Sequence, residues 1–489
     1  MYYRESRIRE IIKTAAVAVL LVMLVCLCIL WMLSYQGGMA AEFTKDTMNR
    51  LSGETVKYKY LEYLDNPCTM PSFIGFSAGR GMDRIGFSSG KGMESAYEDV
   101  LRFYEEIFAS ESTVTQLSAE EGSDLFSKIM DGRYIYISYY CDMPKSVIVG
   151  TANPEMMFSD ISGEYIREIF IVPDRYIQDG LTVGSGGIET YASIYSFYAV
   201  ARDSVGNYYR YTPESAPKVS EDISFNTNFY FSYNTAEAVL YYEFAATLET
   251  DSFLEDHGFA DKITDTTIVY KDSLEAKLLS VSPVTSGIRL EEAVLKAFYM
   301  NPEQVTSYTD ESGVKTYFDE GRSVRFTPDG KVQYTAPGAS GFSFEDVFGY
   351  HSAAEYDIYD YIGAALVVAD ALEPVSGNLG EDITLFLSNI EYDGSTLRLG
   401  FGYRCGGIPI FINGTADILV FELNDGSVQS VSFSMWKLAE SGRLEKTPDF
   451  MWLLRGYLIE ASDRRELMLA YLLSGDGTAC GAELAALLR

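Results

Sequence analysis

Two glycine-rich octapeptides carry the residues whose types and spacing come closest to a catalytic motif. Gly75–Met82 reads GFSAGRGM and Gly86–Met93 reads GFSSGKGM, so each copy contains G-x-S-x-G. This pattern is typical of a tight turn between a strand and a helix, where the central serine is exposed as a nucleophile. The chemistry it predicts is hydrolysis, with Ser77 or Ser88 as the attacking group.

A serine hydrolase also needs a histidine base that is held by an acid, and histidine is scarce in this sequence. The two histidines are His257 and His351, and neither lies beside a segment that resembles an oxyanion hole. One such turn is sufficient for catalysis, whereas a duplicated glycine-rich hairpin accounts for both copies. The hairpin is the favoured interpretation, and the serine hydrolase stays an alternative.

The second octapeptide also fits the motifs of two other enzyme classes, but each fit is incomplete. Ser88 and Lys91 match S-x-x-K, and Ser232-Tyr233-Asn234 resembles the second motif of penicillin-recognising enzymes, yet their third motif is missing. Gly86–Gly92 is one residue short of a phosphate-binding loop. Acidic pairs are expected by chance among 70 acidic residues. The sequence thus predicts no catalytic residue, no cofactor and no metal site.

Composition limits the partners that this chain can bind. It has 489 residues, of which 70 are acidic and 38 basic, and its formal net charge is −32. The length corresponds to about two to four ordinary domains. A field this negative repels phosphate backbones, so a nucleic-acid partner is disfavoured.

The N-terminus predicts a membrane anchor. Thr14–Leu33 is a run of twenty residues without a charge, about 30 Å long as a helix, which matches the hydrocarbon core of a bilayer. Four basic residues precede this run and the next is Lys45. The positive-inside rule therefore predicts a cytoplasmic tail at 1–13, a single transmembrane helix at 14–34 and an extracellular remainder. A signal peptide cleaved near Gly38-Met39-Ala40 is the rival interpretation.

The predicted anchor also offers a surface for another transmembrane helix. Thr14, Ala15 and Ala18 are small residues at helical spacing near its cytoplasmic end. Small residues let two helices approach closely within a bilayer. We therefore predict that these three residues form a partner-binding face, while an ordinary lipid-facing anchor fits the same sequence.

Beyond the anchor, the sequence predicts the α+β class, with antiparallel sheets and packed helices. Short runs rich in tyrosine and β-branched residues are separated by Asp-Gly turns, which is typical of hairpins. A strand is expected at Tyr134–Tyr139, and a hairpin is expected to join Ile194–Ala201 to Tyr208–Tyr211. Helical periodicity predicts helices at Glu94–Phe108, Leu290–Met300, Ala353–Ala371 and Asp463–Leu473.

Two Pro/Ser-rich breaks divide this part of the chain into three predicted domains. The breaks lie at 212–217 and 335–340, and the resulting domains are 39–215, 223–338 and 341–489. Four cysteines fall outside the anchor, at Cys68, Cys141, Cys405 and Cys480. A disulfide such as Cys405–Cys480 and a set of buried free thiols both fit this number.

Two segments without catalytic residues have a very particular arrangement. After a helix end near Phe298, the segments Thr316–Phe326 and Pro328–Thr335 read as a three-stranded meander. Leu397–Ile410 adds two strands around a Gly-Gly-Ile-Pro corner. One face of the meander is supplied by Tyr317, Val324, Phe326, Val332 and Tyr334.

These segments resemble the YycH/YycI family, membrane-anchored accessory proteins of the WalK sensor histidine kinase in Gram-positive bacteria. Tyr134–Pro144 is similar to a third element of the larger, YycH-type members, and the single predicted anchor agrees with them. The resemblance implies a non-enzymatic regulator that contacts the kinase inside and outside the membrane and adjusts signalling for cell-wall metabolism. A YycI-like protein is a further implied partner.

Two alternatives to the regulator stay open. One is the serine hydrolase, and the other is an extracytoplasmic module that binds a cell-wall polymer by stacking sugars on its many tyrosines. Tyrosine at strand spacing is also typical of ordinary sheet packing.

Overall fold

The structure is a computed structural model, and the residues it describes all belong to one compact unit, Tyr63–Arg489. The described residues are 67–78, 84–108, 112–130, 132–152, 163–178, 193–213, 239–244, 267–270, 274–284, 288–319, 321–336, 341–348, 356–376, 380, 382–447, 466–474 and 478–487.

Several predicted features lie outside these residues. They are the anchor with Thr14, Ala15 and Ala18, both histidines, and Ser232-Tyr233-Asn234. Within the described ranges, no helix has both the length and the apolar character that crossing a bilayer requires.

The first sheet has nine antiparallel strands among the described residues, in the order β3-β7-β6-β5-β4-β1-β2-β8-β9. The strands are β1 (Phe73–Ala78), β2 (Arg84–Phe87), β3 (Thr113–Leu117), β4 (Arg133–Pro144), β5 (Tyr165–Gln178), β6 (Ser193–Arg202), β7 (Tyr208–Thr212), β8 (Val239–Phe244) and β9 (Thr267–Tyr270). Three helices accompany it, namely α1 (Gly90–Ile107), α2 (Ala119–Met130) and α3 (Lys145–Ala152).

Helices α1 and α2 cover opposite faces of the first sheet. Phe103 of α1 packs edge-on against Phe197, with ring centroids 5.0 Å apart. Phe126 of α2 packs in the same way on Phe170 at 4.8 Å. The two targets lie on opposite faces because side chains alternate along a strand. The result is a helix–sheet–helix arrangement whose core is mainly aromatic.

The second part of the fold contains a two-stranded ribbon and a twelve-stranded sheet. Its strands are β10 (Glu275–Pro283), β11 (Thr306–Thr309), β12 (Lys315–Asp319), β13 (Arg322–Phe326), β14 (Lys331–Thr335), β15 (Phe342–Ser343), β16 (Ile383–Tyr392), β17 (Leu397–Cys405), β18 (Ile408–Ile412), β19 (Leu419–Asn424), β20 (Ser427–Ser434), β21 (Trp436–Lys446), β22 (Glu466–Leu473) and β23 (Ala482–Leu487). The helices are α4 (Ile288–Ala297), α5 (Phe344–Phe348) and α6 (Ile358–Ser376).

The ribbon pairs β10 with β21, and the large sheet runs β11-β12-β13-β14-β20-β19-β17-β18-β22-β23. Strand β15 adds to β20, and β16 adds to β17. All of these pairs are antiparallel except β18 with β22. The class is therefore mixed α+β with mostly antiparallel sheets, as the sequence predicts.

The sheets cross two of the boundaries predicted between domains. Strand β14 pairs with β20, so the boundary at 338–341 does not separate two sheets. Strand β8, which the sequence assigns to the middle domain, pairs with β2 of the first sheet. Turn-rich segments break the hydrophobic pattern along the chain, but pairing between distant strands is not visible in that pattern.

The two large sheets meet at a junction between β4 and β16. The ring of Tyr140 lies 4.1 Å from that of Phe386. The Tyr140 hydroxyl donates a hydrogen bond to the Gly407 carbonyl at 2.7 Å. Tyr359 of α6 donates to the Ser146 carbonyl of α3. We call this contact region the junction.

Three of the four predicted helices are confirmed, and the fourth is wrong. Helices α1, α4 and α6 correspond to the expected segments with shifted ends. The segment predicted as the helix Asp463–Leu473 contains strand β22 instead, which pairs with β18 and with β23. A short continuous apolar run fits a buried strand and a buried helix equally well by periodicity. Pairing with β18, which is distant in sequence, decides between them.

The predicted strands and hairpins are confirmed. Tyr134–Tyr139 lies within β4, and β6 pairs with β7 as expected. The meander forms β12, β13 and β14, and the Gly-Gly-Ile-Pro corner joins β17 to β18. Asp425 and Gly426 both have positive φ in the turn between β19 and β20. This is the backbone geometry that a two-residue Asp-Gly hairpin turn requires.

The cysteines favour buried thiols over the suggested disulfide. Cys405 is a free, buried thiol, so the Cys405–Cys480 bond is not formed. Burial raises the pKa of Cys405 to about 11 and the pKa of Cys68 to about 12. Cys480 is only partly buried. Since the thiolate is the reactive form, the two buried thiols should be inert in the native protein.

We expect iodoacetamide at pH 8 to alkylate Cys480 first, and Cys68 and Cys405 only after unfolding. At a pKa near 11, roughly one thiol in a thousand is ionised at that pH. Peptide mass spectrometry after timed labelling measures the order, with protein labelled in urea as the control. Rapid native alkylation of Cys405, or a mass two hydrogens short for a linked Cys405–Cys480 peptide, would contradict the structure.

Candidate functional site

The first residues of the two octapeptides pair as antiparallel strands, as the favoured hairpin interpretation predicts, and the second copy continues into α1. Strands β1 and β2 pair antiparallel, with Gly75 opposite Gly86. A side chain at Gly86 would meet the Phe73 ring, since a Cβ there would lie 2.1 Å from its Cζ atom. The glycine therefore makes room for an aromatic core residue. Packing against Phe73 therefore explains why the second copy has a glycine at this position, and no catalytic role is needed to explain it.

Ser77 does not lie on a strand-to-helix turn. It is an interior residue of β1, it is only 7% exposed, and it pairs with Arg84. Its hydroxyl donates to the Gly132 carbonyl at 3.0 Å. Ser77 therefore lies in a strand, as the hairpin interpretation predicts, and not on the turn that the hydrolase alternative requires of it.

Ser88 does lie between a strand and a helix. Strand β2 ends at Phe87, and α1 begins at Gly90, whose φ is +74°. Ser88 is half-buried and its backbone faces the corner glycine Gly407 at the junction. Both histidines lie outside the described residues. The described part of the chain therefore places Ser88 in a packing contact between the sheets.

A groove crosses the exposed face of the meander, at the end of the large sheet. It comprises two adjoining cavities of about 660 and 340 Å³ that share Ser323 and Thr335. The larger cavity is lined by Gln304, Thr306, Phe318, Asp319, Gly321 and Arg322 besides the shared pair. The smaller is lined by Tyr308, Asp310, Thr316, Arg325 and Gln333 besides the same pair. We call the two cavities together the outer-face groove.

Strand alternation explains why these side chains face outward. Val324 and Tyr334, which the sequence predicts as the inner face, are fully buried. Their neighbours Ser323 and Thr335 therefore point to the other face. The register places Phe318 between Thr306 and Ser323. It likewise places Arg325 between Thr316 and Gln333.

The inner face fixes the meander on helix α4. Glu291 of α4 accepts hydrogen bonds from the Lys315 ammonium and the Tyr317 hydroxyl, both at 2.7 Å. The Glu291 carboxylate raises the pKa of Lys315, and burial raises the pKa of Tyr317. Phe298 stacks near Tyr334, with ring centroids 5.0 Å apart. The strands that form the groove are therefore held in place by contacts with α4 and with Phe298, which follows it.

The groove exposes two aromatic rings and two arginines. Tyr308 is 63% exposed and Phe318 is 48% exposed. Arg322 is held by Asp319 at 2.6 Å. Arg325 is exposed and interacts electrostatically with Asp310, which lines the same cavity. Such a set of groups binds a ligand by stacking, hydrogen bonding and charge, and the described residues hold no cluster with metal-ligand character.

Asp310 at the rim of the groove is committed to its own turn. Its carboxylate accepts hydrogen bonds from the Ser312 hydroxyl and from the backbone amides of Ser312 and Val314. The Ser312 hydroxyl is the main reason that the pKa of Asp310 is lowered. The segment is therefore a turn, and this carboxylate has little hydrogen-bonding capacity left for a ligand.

Comparison of the chain with protein-family models, with curated proteins and with solved structures gave no match in any of the three. The chemistry of the groove is therefore inferred from its own residues. Its position also differs from the partner-binding face predicted at Thr14, Ala15 and Ala18, which lies outside the described residues.

Sequence reasoning identified the inner face of the meander and missed the outer one. The sequence contains one signal for the outer face. Phe318 directly follows Tyr317, so an aromatic side chain is expected on the face opposite to the one that Tyr317 helps to form. An exposed aromatic beside Thr306 and Ser323 is apparent only when the strand register is known.

Proposed function

We propose that this chain is a non-enzymatic, membrane-anchored regulator of a WalK-like sensor histidine kinase that controls cell-wall metabolism. The observation that carries the proposal is the placement of the two main segments that resemble the YycH/YycI family. The meander β12–β14 and the corner strands β17 and β18 lie in one sheet, connected through β20 and β19. Both segments form strands and turns, and their place in one sheet supports the proposal.

In this proposal the 14–34 helix anchors the chain with its N-terminus in the cytoplasm and its sheets outside. A bound regulator changes kinase output only if it binds one signalling state more tightly than the other. Each 1.4 kcal/mol of such a preference shifts that equilibrium about tenfold. Two sets of contacts, in the membrane and outside it, supply this preference jointly.

Crosslinking in native membranes tests the partnership. Cells that express the tagged full chain are treated with a membrane-permeant crosslinker, and captured proteins are identified by mass spectrometry. We expect a sensor histidine kinase, accompanied by a YycI-like protein, in the captured set. Repeated recovery of the chain without any histidine kinase would argue against the proposed function.

Ala18→Leu is expected to weaken kinase association about tenfold, because a larger side chain separates two helices packed through small residues. Co-purification of the kinase from detergent extracts measures the effect. Leu20→Phe is the matched control, since it also enlarges an apolar residue but lies about 160° away around the proposed helix. Equal kinase recovery with both variants would remove Thr14, Ala15 and Ala18 as the contact face.

A further inference from the structure

We propose that the outer-face groove is a binding site for a carboxylate-bearing glycan strand. The proposal rests on the side chains of the groove and does not depend on the kinase partnership. The proposal assigns a ligand-binding activity to the described part of the chain.

The two exposed rings provide stacking surfaces for sugars. Tyr308 and Phe318 lie on adjacent strands at diagonal positions, since Thr306 is opposite Phe318 and Thr316 is opposite Tyr308. Diagonal neighbours on a sheet are about 7–8 Å apart. The apolar C–H faces of pyranose rings pack on aromatic rings in the way that other flat apolar groups do.

The floor of the groove is polar and carries hydroxyl and amide groups in register. Thr306, Ser323 and Thr335 form one row across the strands, and Thr316 and Gln333 belong to the next row. Hydroxyl groups donate and accept hydrogen bonds, and an amide does both. This repeated pattern matches the hydroxyl and acetamido groups along a glycan.

The charges of the groove favour an acidic glycan. Arg325 is exposed in the smaller cavity. The nearby Asp310 carboxylate interacts with it electrostatically but spends its hydrogen bonds within its own turn, so the guanidinium donors stay available to a ligand. A guanidinium binds carboxylates through a planar fork of N–H donors. Arg322, in contrast, is neutralised by Asp319 at the other end of the groove.

The test measures binding of the full chain in nanodiscs of zwitterionic lipid. Three probes are compared by biolayer interferometry. The first is peptidoglycan glycan strands freed of stem peptides by an amidase, which leaves the lactyl carboxylates. The second is the neutral hexamer of N-acetylglucosamine, and the third is poly-glutamate. The variants are Tyr308→Ala, Phe318→Ala and Arg325→Gln.

Two matched controls come from the same sheet. Tyr392→Ala removes a tyrosine that is 37% exposed but lies outside the groove. Arg398→Gln removes an arginine on the same face that is paired with Glu391 at 3.6 Å. Arg398 faces outward because it is connected in register through Glu422 and Ser430 to Thr335.

We expect the wild-type chain to bind both glycans, and each aromatic substitution to weaken both about tenfold. Arg325→Gln should weaken binding of the carboxylate-bearing strands about tenfold and leave the neutral hexamer nearly unchanged. It should also reduce the salt dependence of binding. The control variants should bind like the wild type.

Three results would overturn the proposal. The first is no binding of either glycan by the wild-type chain. The second is binding of poly-glutamate alone, which would assign the groove to an acidic peptide. The third is an equal effect of Arg325→Gln on the carboxylated and neutral glycans, which would remove the carboxylate from the ligand. None of these results bears on kinase crosslinking, so the two proposals fail separately.

Discussion

Arg202→Ala is expected to lower the free energy of unfolding by about 3–5 kcal/mol, because it leaves the buried carboxylate of Glu168 without its cation. The Arg202 and Glu168 side chains are 2.5 Å apart and only 7% and 4% exposed. The Tyr136 hydroxyl donates to the same carboxylate at 2.9 Å. The guanidinium also lies 5.4 Å from the Phe126 ring centroid.

Urea denaturation followed by circular dichroism measures this loss. Arg398→Ala is the control, because its pair with Glu391 is exposed, and surface pairs contribute at most about 1 kcal/mol. The double variant Arg202→Met with Glu168→Gln should recover part of the stability, since no buried charge is left unpaired. If Arg202→Ala and Arg398→Ala lowered the free energy of unfolding by similar amounts, the buried pair would stabilise the protein no more than the exposed one.

Gly407→Ala is expected to cost about 2–5 kcal/mol, which combines backbone strain with a steric clash at the junction. Gly407 has φ +81°, and a Cβ at this position would lie 2.3 Å from the Ser88 carbonyl oxygen. Its own carbonyl accepts the Tyr140 hydrogen bond. Neither sheet can move away without separating Tyr140 from Phe386, whose rings are in contact.

The neighbouring glycine separates the two causes of this cost. Gly406 also has a positive φ, of +56°, but a Cβ there would meet nothing within 4 Å. Gly406→Ala should therefore cost about 1–2 kcal/mol, from strain alone. Thermal unfolding of both variants gives the difference. Equal unfolding temperatures for the two variants would mean that a steric clash with Ser88 adds nothing to the cost of Gly407→Ala.

Local structure is largely predictable because the residues that specify it are close in sequence. Asp425 and Gly426 define a hairpin turn by themselves, and Tyr97, Val100 and Tyr104 share the buried face of α1 at helical spacing. The meander follows from its turns and its alternation. The class and the main hairpins therefore follow from the amino-acid sequence alone.

The arrangement of the sheets is not predictable in the same way. The apolar run of β22 fits a helix as well as a strand, because its strand character depends on pairing with Ile408–Ile412. The pairing of Lys331–Thr335 with Ser427–Ser434 joins segments on either side of a turn-rich break in the sequence. The groove depends on this long-range register. Its polar lining is indistinguishable from any solvent-facing strand until the neighbouring strands are known.

The pairing of β10 with β21 has a consequence for the order in which the chain acquires its shape during synthesis. Strand β10 ends at Pro283 and its partner begins at Trp436, 153 residues later (436 − 283). A growing chain thus exposes one unpaired strand while most of the second half is still being made. Structures dominated by such distant pairings form slowly, and bare strand edges invite wrong partners. Truncation before residue 436 should consequently yield a product that aggregates.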